Sequence, residues 1–359
     1  MSSIHTRLQK KLEERSQKGN LRSLRVNEAG IDFCSNDYLG LSRLEDIAEV
    51  DEQKIGGSSR LISGTSQIHL DTEKELATKY NHAGALIFNS GYAANCGLFS
   101  SLGLKDVVFL YDERAHASIK DGLRLSFAKS FSFLHNNLND LERLLKKFTG
   151  HTTFVVVESL YSIDGDFAPL LQIGKLLEQY DAELIVDEAH TGGLFGDQGY
   201  CEEIQLPLTP FARIITFGKA YGSAGACVLS SKIVIDFLIN FSRPFIYTTA
   251  LSKNQVKDIQ RKVLHLKLTD RQVKLKENIA YFREKAKEMT IISDKYSPIQ
   301  SLLIPTNLAA RQEELKIQKN GFDVKAILSP TVPEGRECIR ISLHSFNTKL
   351  EIDQLIEQL

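Results

Sequence analysis

ELIVDEAH at residues 183–190 joins a short, uninterrupted apolar run to a cluster of polar residues. Similar runs recur along the same part of the chain: ALIF at 85–88, VVFLY at 107–111, FVVVE at 154–158 and RIITF at 213–217. Their apolar residues are consecutive, which is typical of parallel strands covered by helices on both faces. With the helical periods between them, these runs predict a large doubly wound α/β domain with a mainly parallel sheet.

The pattern changes after about residue 245. A long charged helical stretch at 252–290 is followed by three strand-like runs, SLLI at 301–304, VKAIL at 324–328 and CIRISL at 338–343. These runs predict a smaller C-terminal α+β domain. The expected domains are an N-terminal helix and arm at 1–45, the large domain at 46–245 and the small domain at 246–359.

The N-terminal arm has a periodic pattern of its own. Ile4, Leu8 and Leu12 recur at every fourth position among charged neighbours. This spacing predicts a surface helix with one narrow apolar stripe. We expect the stripe to dock on the body of the protein or on a partner subunit.

The composition argues against several classes of protein. The chain has 359 residues, 42% of them apolar, which is enough for two or three domains with buried cores. Its 44 Lys and Arg against 45 Asp and Glu leave a formal charge of -1, so no overall basic field exists to bind nucleic acid or an anionic membrane. The five cysteines include no C-x-x-C pair, which argues against a disulfide framework or a structural zinc site. No apolar stretch is long enough to span a membrane. We expect a cytoplasmic protein with no nucleic-acid, membrane or metal partner.

Polar residues follow the predicted strands at the edge where doubly wound sheets bind ligands. NSGY at 89–92 follows the run at 85–88 and opens a helix whose free N–H groups suit an anion such as phosphate. An ordinary Ser or Asn N-cap is the alternative. Asp187 and His190 end the run quoted first, so a carboxylate and an imidazole can reach one small site from the same side.

The letters DEAH at 187–190 also spell a helicase motif. That interpretation requires a phosphate-binding G-x-x-x-x-G-K-[ST] segment upstream. The two Gly-Lys pairs, at 174–175 and 218–219, have Pro169 and Arg213 in place of the leading glycine. The helicase interpretation therefore fails.

A lysine and a histidine complete the set of candidate residues. Lys219 lies among small residues in TFGKAYGSAGA at 216–226, where a planar ligand can approach closely and a desolvated amine can act as a nucleophile. A solvated lysine in a glycine-rich turn is the alternative. His116 follows the run at 107–111 and could stack on a flat ring, or it could be an ordinary histidine at a helix start.

The combination of these residues matches what pyridoxal 5'-phosphate requires. Its phosphate needs a helix N-terminus and hydroxyl groups. Its pyridinium nitrogen needs a carboxylate, and its aldehyde needs a lysine to form a Schiff base. The sequence therefore predicts a site for this cofactor.

With these residues, the chain resembles the α-oxoamine synthase family of pyridoxal-phosphate enzymes, which have the aspartate aminotransferase fold, fold type I. The resemblance runs from about residue 22 to about residue 346. Its blocks are SNDYLGL (35–41), GGSSRLISGTSQIHLDTEKEL (56–76), NSGYAAN (89–95), AHASIKDG (115–122), ESLYSIDGD (158–166), VDEAHTGGLFG (186–196), TFGKAYGSAGA (216–226), PFIYTTAL (244–251) and PTVPEGRECIRISL (330–343).

The resemblance implies a role for each candidate residue around the cofactor. Lys219 would form the Schiff base and then remove the Cα proton of the amino acid. Asp187 would pair with the pyridine nitrogen, and His190 would hydrogen-bond the ring oxygen. His116 would stack on the ring. The remaining cofactor contacts would come from Ser162, from Thr216, from the backbone N–H groups of Gly91 and Tyr92, and from Thr248 and Thr249 of a second subunit.

The resemblance also implies residues that bind the substrate. Arg340 would bind the amino-acid carboxylate, for which a planar guanidinium is suited. Asn36 and Arg22 match positions near the substrate. Two features depart from the family pattern: Cys338 stands where many relatives have another arginine, and the connection between Leu41 and Gly56 is short.

Members of this family are homodimers with sites at the subunit interface, and they condense an amino acid with an acyl-CoA. The compact chain favours L-alanine with pimeloyl-CoA or a pimeloyl acyl carrier protein. Glycine with acetyl-CoA is the alternative, followed by the reactions that make aminolevulinate or a ketosphinganine precursor. A non-catalytic regulatory subunit is disfavoured, because such a protein has no need of Lys219.

Overall fold

The computed structural model describes residues 3–22, 30–44 and 57–359. In chain order, the strands are β1 (Ile31–Asp32), β2 (Gly84–Phe88), β3 (Val107–Asp112), β4 (Lys129–Phe133), β5 (Thr152–Glu158), β6 (Ala182–Asp187), β7 (Ala212–Thr216), β8 (Ala226–Ser230), β9 (Ile299–Leu303), β10 (Phe322–Asp323), β11 (Lys325–Ile327) and β12 (Cys338–Ser342). The helices are α1 (Ser3–Gln17), α2 (Gln67–Lys79), α3 (Gly91–Leu102), α4 (Ala117–Arg124), α5 (Leu138–Lys147), α6 (Leu170–Leu177), α7 (Tyr200–Glu203), α8 (Lys232–Phe241), α9 (Arg243–Ile246), α10 (Lys253–Ile259), α11 (Thr269–Lys285), α12 (Asn307–Lys319) and α13 (Lys349–Ile356). The expected short connection between Leu41 and Gly56 falls on residues 45–56, outside the described residues.

Contacts between Cα atoms divide the chain into two compact units. The smaller unit comprises Met1–Tyr38, Ile163–Asp166 and Val273–Leu359. The larger unit comprises Leu39–Ser162 and Phe167–Gln272.

The larger unit contains a seven-stranded sheet in the order β2-β8-β7-β6-β5-β3-β4. Strands β7, β6, β5, β3 and β4 pair in parallel, and β8 is antiparallel to both β2 and β7. The doubly wound, mainly parallel α/β fold predicted from the sequence is therefore confirmed. The five predicted strands correspond to β2, β3, β5, β6 and β7.

The sequence of β5 shows why these strands are apolar at consecutive positions. Phe154 and Val156 belong to one buried cluster, which includes side chains of α3, α4 and α8. Val155 and Val157 belong to a second cluster, which includes side chains of α5 and α6. Successive side chains of a strand point to opposite faces, so a sheet covered on both faces needs apolar residues at every position.

The predicted domain boundaries differ from the observed units at the N-terminus. Residues 1–38 belong to the smaller unit because β1 pairs in parallel with β10. The backbone N–H of Ser342 also donates to the carbonyl of Phe33 at 2.7 Å. The three predicted C-terminal strands correspond to β9, β12 and β11, which form an antiparallel sheet in the order β11-β12-β9.

The second difference concerns residues 246–272, which belong to the larger unit. Lys262 Nζ donates to the carbonyl of Gly222 at 2.8 Å, and Gln272 Nε2 donates to that of Gly193 at 2.9 Å. These hydrogen bonds fasten the segment to the glycine-rich loops of the sheet. The long helical stretch predicted at 252–290 is interrupted, since α10 passes into a π-helical turn at Gln260–His265 and α11 begins at Thr269.

The predicted N-terminal helix is present as α1. Its apolar stripe is exposed to solvent, since the exposed fractions of Ile4, Leu8 and Leu12 are 56%, 52% and 51%. Docking of this stripe on a partner subunit stays a prediction. Among the described residues, no helix has both the length and the apolarity required to cross a membrane.

Candidate active site

The carboxyl ends of adjacent parallel strands bring the candidate residues of the larger unit to one edge of the sheet. Glu158, the last residue of β5, is the register partner of Asp187, the last residue of β6. Asp187 is in turn the partner of Ile214 in β7, two residues before Thr216. This pairing explains why residues far apart in sequence meet there.

The structure places the N-terminus of α3 at the segment where an anion site was predicted. Ser90 is its N-cap, and its Oγ accepts the N–H of Ala93 at 3.1 Å. The N–H groups of Gly91 and Tyr92 belong to the first turn, which has no intrahelical acceptor for them. A Cβ on Gly91 would lie 2.6 Å from Cγ2 of Thr216. Only glycine therefore allows this helix end to approach Thr216 so closely, and Ser90 serves as an N-cap at the same time.

Asp187 is buried and its carboxylate is fixed by two hydrogen bonds. Its exposed fraction is 4%. Oδ1 accepts the N–H of Ala189 at 2.9 Å, and Oδ2 accepts Asn95 Nδ2 at 2.7 Å. His190 is equally buried. The sequence analysis missed Asn95, although it closes the NSGYAAN block.

His116 is the N-cap of α4 and is held on two sides. Its backbone N–H donates to Glu158 Oε1 at 2.7 Å. Its Nδ1 accepts the N–H of Ser118 at 3.2 Å and lies 2.7 Å from Ser118 Oγ. Burial lowers the pKa of His116, the charge of Asp187 raises it and that of Lys219 lowers it, and the net effect is a lowered pKa. The ring is therefore neutral at pH 7 and remains partly exposed, as a stacking residue requires.

Lys219 lies in a tightly held loop. Its carbonyl accepts the N–H of Gly222 at 2.9 Å, which gives a compact turn. Gly222 has a φ of 54°, and a Cβ there would lie 2.2 Å from the backbone nitrogen of Ser42. Only glycine is tolerated at this position. The lysine is half-buried, and its charge lowers the pKa of both His116 and Glu158.

Glu158 is a buried carboxyl that the sequence analysis left unassigned. Burial and then the charge of Asp187 raise its pKa to about 8, while Lys219 and the N–H of His116 oppose this shift. Three of the groups that act on Glu158 therefore belong to predicted site residues. In the sequence, Glu158 ends the FVVVE run and begins the ESLYSIDGD block.

The other predicted cofactor residues of the larger unit lie on loops. Thr216 Oγ1 donates to the carbonyl of Ala189 at 3.2 Å. Ser162 is half-buried in the turn after β5. Thr248 is half-buried and Thr249 is exposed; the carbonyl of Thr249 accepts Asn89 Nδ2 at 2.6 Å.

The predicted substrate residues belong to the smaller unit. Arg340 on β12 is 7% exposed. Its Nη2 donates to Asn36 Oδ1 at 2.9 Å, and its Nη1 donates to Ser342 Oγ at 2.8 Å. The structure thus joins two of the predicted substrate residues. Arg22 lies elsewhere in the unit, with Nη2 3.4 Å from Thr331 Oγ1. Cys338 is fully buried on β12, in agreement with a packing role.

Arg22 borders a cavity of about 520 Å³ within the smaller unit. Its lining includes the basic residues Arg15, Arg22, Arg311 and Lys325 and the apolar residues 326–328. Arg311 and Lys325 share the buried carboxylate of Glu314, at 2.5 and 2.9 Å. The cavity lining therefore combines apolar side chains with basic ones.

The donor set of the larger unit fits pyridoxal phosphate. Gly91, where an added Cβ would clash with Thr216, leaves the helix N-terminus accessible to a phosphate. The buried carboxylate of Asp187, held by two hydrogen bonds, can face a pyridine nitrogen. A half-buried lysine supplies the amine.

Comparisons with known proteins agree with this geometry. The sequence profile of the family described as aminotransferase class I and II matches residues 28–359. The 8-amino-7-oxononanoate synthase of Cellvibrio japonicus (strain Ueda107) is 38% identical over 340 residues, covering 91% of this chain and 85% of that protein. The enzyme of the same name from Saccharophagus degradans is 35% identical, covering 99% of this chain and 96% of that protein.

Solved structures show the same relationship. The 8-amino-7-oxononanoate synthase of Francisella tularensis has a TM-score of 0.78 at 30% identity, covering 92% of this chain and 97% of its own. The serine palmitoyltransferase of Sphingomonas wittichii has a TM-score of 0.86 at 27% identity, covering 92% and 86%. The chain therefore belongs to the aminotransferase class I and II family and, within it, to the pyridoxal-phosphate-dependent α-oxoamine synthases.

Proposed function

We propose that this chain condenses L-alanine with pimeloyl-CoA, or with a pimeloyl acyl carrier protein, with loss of carbon dioxide, to give 8-amino-7-oxononanoate in biotin biosynthesis. The near full-length similarity to two enzymes of that name supports this substrate pair. The observation that carries the reaction type is the cluster of His116, Asp187 and Lys219, in which the charges of both Asp187 and Lys219 act on His116.

The protein's own residues would hold the amino acid and move its proton. Bound pyridoxal phosphate supplies an electron sink for negative charge at the substrate Cα. Lys219 would hold the cofactor through its amine, and the same amine would take the Cα proton of the bound alanine. Asp187 would hold the pyridine nitrogen, His190 would hold the ring oxygen, and the face of His116 would stack on the ring.

The phosphate would be held by groups at the end of α3 and beside it. These are the backbone N–H groups of Gly91 and Tyr92 and the hydroxyl of Thr216, with Ser162 placing the ring. The clash that a Cβ on Gly91 would make with Thr216 supports this arrangement, because it brings the helix N-terminus and a hydroxyl together.

Arg340 would bind the alanine carboxylate. Its hydrogen bonds to Asn36 and Ser342 fix the guanidinium plane, which favours bidentate binding. Arg22 would bind the anionic acyl substrate. The basic and apolar residues that line the adjacent cavity suit an acyl chain with a negative end.

The proposal includes a homodimer in the cytoplasm, in which Thr248 and Thr249 reach the phosphate of the other subunit. Supporting it, Ile62 and Tyr247 are 83% and 72% exposed, and the segments that carry them meet at a bridge between Ser59 and Thr249. We expect sedimentation velocity to give a dimer, and an Ile62→Lys variant to weaken it. A monomeric wild-type protein with full activity would contradict this part.

The decisive experiment measures thiol release for alanine, glycine and serine, each combined with pimeloyl-, acetyl-, succinyl- and palmitoyl-CoA. We expect the highest kcat/KM for alanine with pimeloyl-CoA, and no release by Lys219→Ala. A higher value for glycine with acetyl-CoA would identify a glycine C-acetyltransferase and overturn the proposed substrates. A pimeloyl acyl carrier protein tested beside the CoA ester decides between the two donors.

A further inference from the structure

Asn95 connects two of the site residues through one side-chain amide. It lies on α3, one turn beyond the phosphate-binding end, and is 2% exposed. Its Nδ2 donates to Asp187 Oδ2 at 2.7 Å and to Ser118 Oγ at 2.9 Å. Both amide hydrogens are therefore used, one toward the carboxylate and one toward the residue that contacts His116.

The direction of each hydrogen bond follows from the donors present. His116 Nδ1 accepts the backbone N–H of Ser118, so this nitrogen carries no proton. The Ser118 hydroxyl, 2.7 Å away, must then donate to the same Nδ1. Because that hydroxyl donates its hydrogen bond to His116, its oxygen can accept the hydrogen bond from Asn95. The order is Asn95 to Ser118 to His116, and His116 carries its proton on Nε2.

We propose that Asn95 is a positioning residue that holds the Asp187 carboxylate toward the cofactor nitrogen and, through Ser118, fixes the tautomer and plane of the His116 ring. The chain of contacts continues at the other side of His116, where its backbone N–H donates to Glu158. This inference rests on the pyridoxal-phosphate site of the proposed function, and not on the identity of the amino acid or the acyl donor.

The cost of burying Asn95 supports a functional role. Its Oδ1 is buried and accepts no hydrogen bond in the part of the chain that the structure describes. A buried acceptor without a hydrogen bond destabilises the folded protein. A leucine of similar size would avoid that cost in a helix whose next turn, at Leu98 and Phe99, is fully apolar. The presence of an amide here is better explained by its two N–H donors, because the ionised carboxylate of Asp187 can only accept hydrogen bonds.

The test compares cofactor binding in matched variants of the holoenzyme. Asn278 in the smaller unit is a close match, because it is buried, donates from Nδ2 to the carbonyls of His344 and Asn347, and has a buried Oδ1 among the unsatisfied atoms. Four holoenzymes are dialysed against a series of pyridoxal phosphate concentrations: wild type, Asn95→Leu, Ser118→Ala and Asn278→Leu. Their visible absorption is then titrated with pH, and their thermal unfolding is recorded.

We expect Asn95→Leu to raise the dissociation constant of pyridoxal phosphate about tenfold, the effect of one hydrogen bond to a charged group, and to move the pH midpoint of the visible band. Ser118→Ala should move the midpoint in the same direction with a smaller change in affinity. Asn278→Leu should change neither quantity, whatever it does to thermal unfolding. If Asn95→Leu does not fold, Asn95→Ala takes its place with the same expectation.

A wild-type midpoint and affinity in the Asn95 variant would overturn the proposal. So would a loss of affinity that only parallels a lower unfolding temperature, as in Asn278→Leu, since packing alone would explain it. None of these readouts uses turnover. A wrong substrate pair therefore leaves them unchanged, and a protein that fails to bind pyridoxal phosphate at all would instead contradict the proposed function.

Discussion

Asp187 and Glu188 are consecutive acidic residues, both buried, yet their surroundings differ in kind. Glu188 is fully buried, and its Oε1 accepts Arg213 Nε at 2.7 Å while its Oε2 accepts the N–H of Tyr200 at 2.7 Å. Within the described residues, the hydrogen bonds to Asp187 come from neutral donors, Asn95 and Ala189. The carboxylate of Glu188 is therefore paired with an arginine, whereas that of Asp187 accepts only neutral donors among the described residues. We expect this difference to leave Asp187 for a cationic ligand.

The largest expected effect is on stability, from breaking the Glu188–Arg213 pair. Burial alone lowers the pKa of Arg213, but Glu188 outweighs it and the net pKa is raised. Arg213→Met leaves Glu188 buried and uncompensated, which should lower the free energy of unfolding by about 3–5 kcal/mol. Urea unfolding of the cofactor-free protein measures this.

The control for that variant is the double mutant Arg213→Met with Glu188→Gln, which should recover part of the stability because no buried charge remains. Folded Arg213→Met protein should still bind pyridoxal phosphate. Loss of the cofactor at wild-type stability would instead place this ion pair in the active site and erase the contrast with Asp187.

In contrast to Arg213→Met, Asp187→Asn should lower activity much more than stability. The substitution keeps the shape of the side chain but removes the charge that is proposed to face the pyridine nitrogen. We expect kcat/KM to fall about 10²–10³-fold, as for the loss of one preorganised electrostatic contact, with a small change in the urea midpoint. Steady-state thiol release and urea unfolding test both halves. A large loss of stability with little loss of activity would mean that Asp187 is structural.

Arg340 extends the comparison to the arginines. Arg213 is held by the carboxylate of Glu188, whereas the contacts of Arg340 include the neutral oxygens of Asn36 and Ser342. If Arg340 binds the amino-acid carboxylate, Arg340→Ala should raise the KM for alanine by about tenfold or more and leave the cofactor spectrum unchanged. Loss of the cofactor in this variant would make Arg340 structural.

The sequence predicted the parts of this arrangement that depend on strand ends. Runs of consecutive apolar residues identify buried parallel strands, and such strands end at one edge, so Asp187, His190 and Lys219 could be grouped. Strand β4 was missed because KSFSF is largely exposed and has no continuous apolar run. Strand β8 was missed because it directly follows the glycine-rich loop and merges with the apolar α8 segment.

The contacts between these parts could not be predicted from the sequence. Asn95, Ser118 and Glu158 lie on three different elements, and their contacts depend on how α3 and α4 pack on the sheet. No periodic pattern encodes that packing. The different surroundings of Asp187 and Glu188 likewise depend on Arg213, which is on the neighbouring strand and pairs with Glu188 alone of the two. The unit boundaries were displaced for a related reason, since pairing of β1 with β10 joins segments from opposite ends of the chain.

The last comparison concerns Glu158, the register partner of Asp187. Burial and the charges of Asp187 and Asp112 raise its pKa to about 8, against the opposing effects of Lys219 and the N–H of His116. A carboxyl whose pKa is higher in the folded than in the unfolded chain binds more protons when folded, so its contribution to stability is complete below about pH 4.5 and is lost as the pH rises to about 8. Glu158→Gln cannot titrate, so the cofactor-free variant should lose less stability than wild type over this range in urea unfolding.

Asp112→Asn serves as the control, because it changes a neighbouring charge but leaves Glu158 able to titrate. Parallel pH profiles for wild type and Glu158→Gln would show that Glu158 is ionised beside Asp187, and the two carboxylates would then need a cation at this edge even without the cofactor.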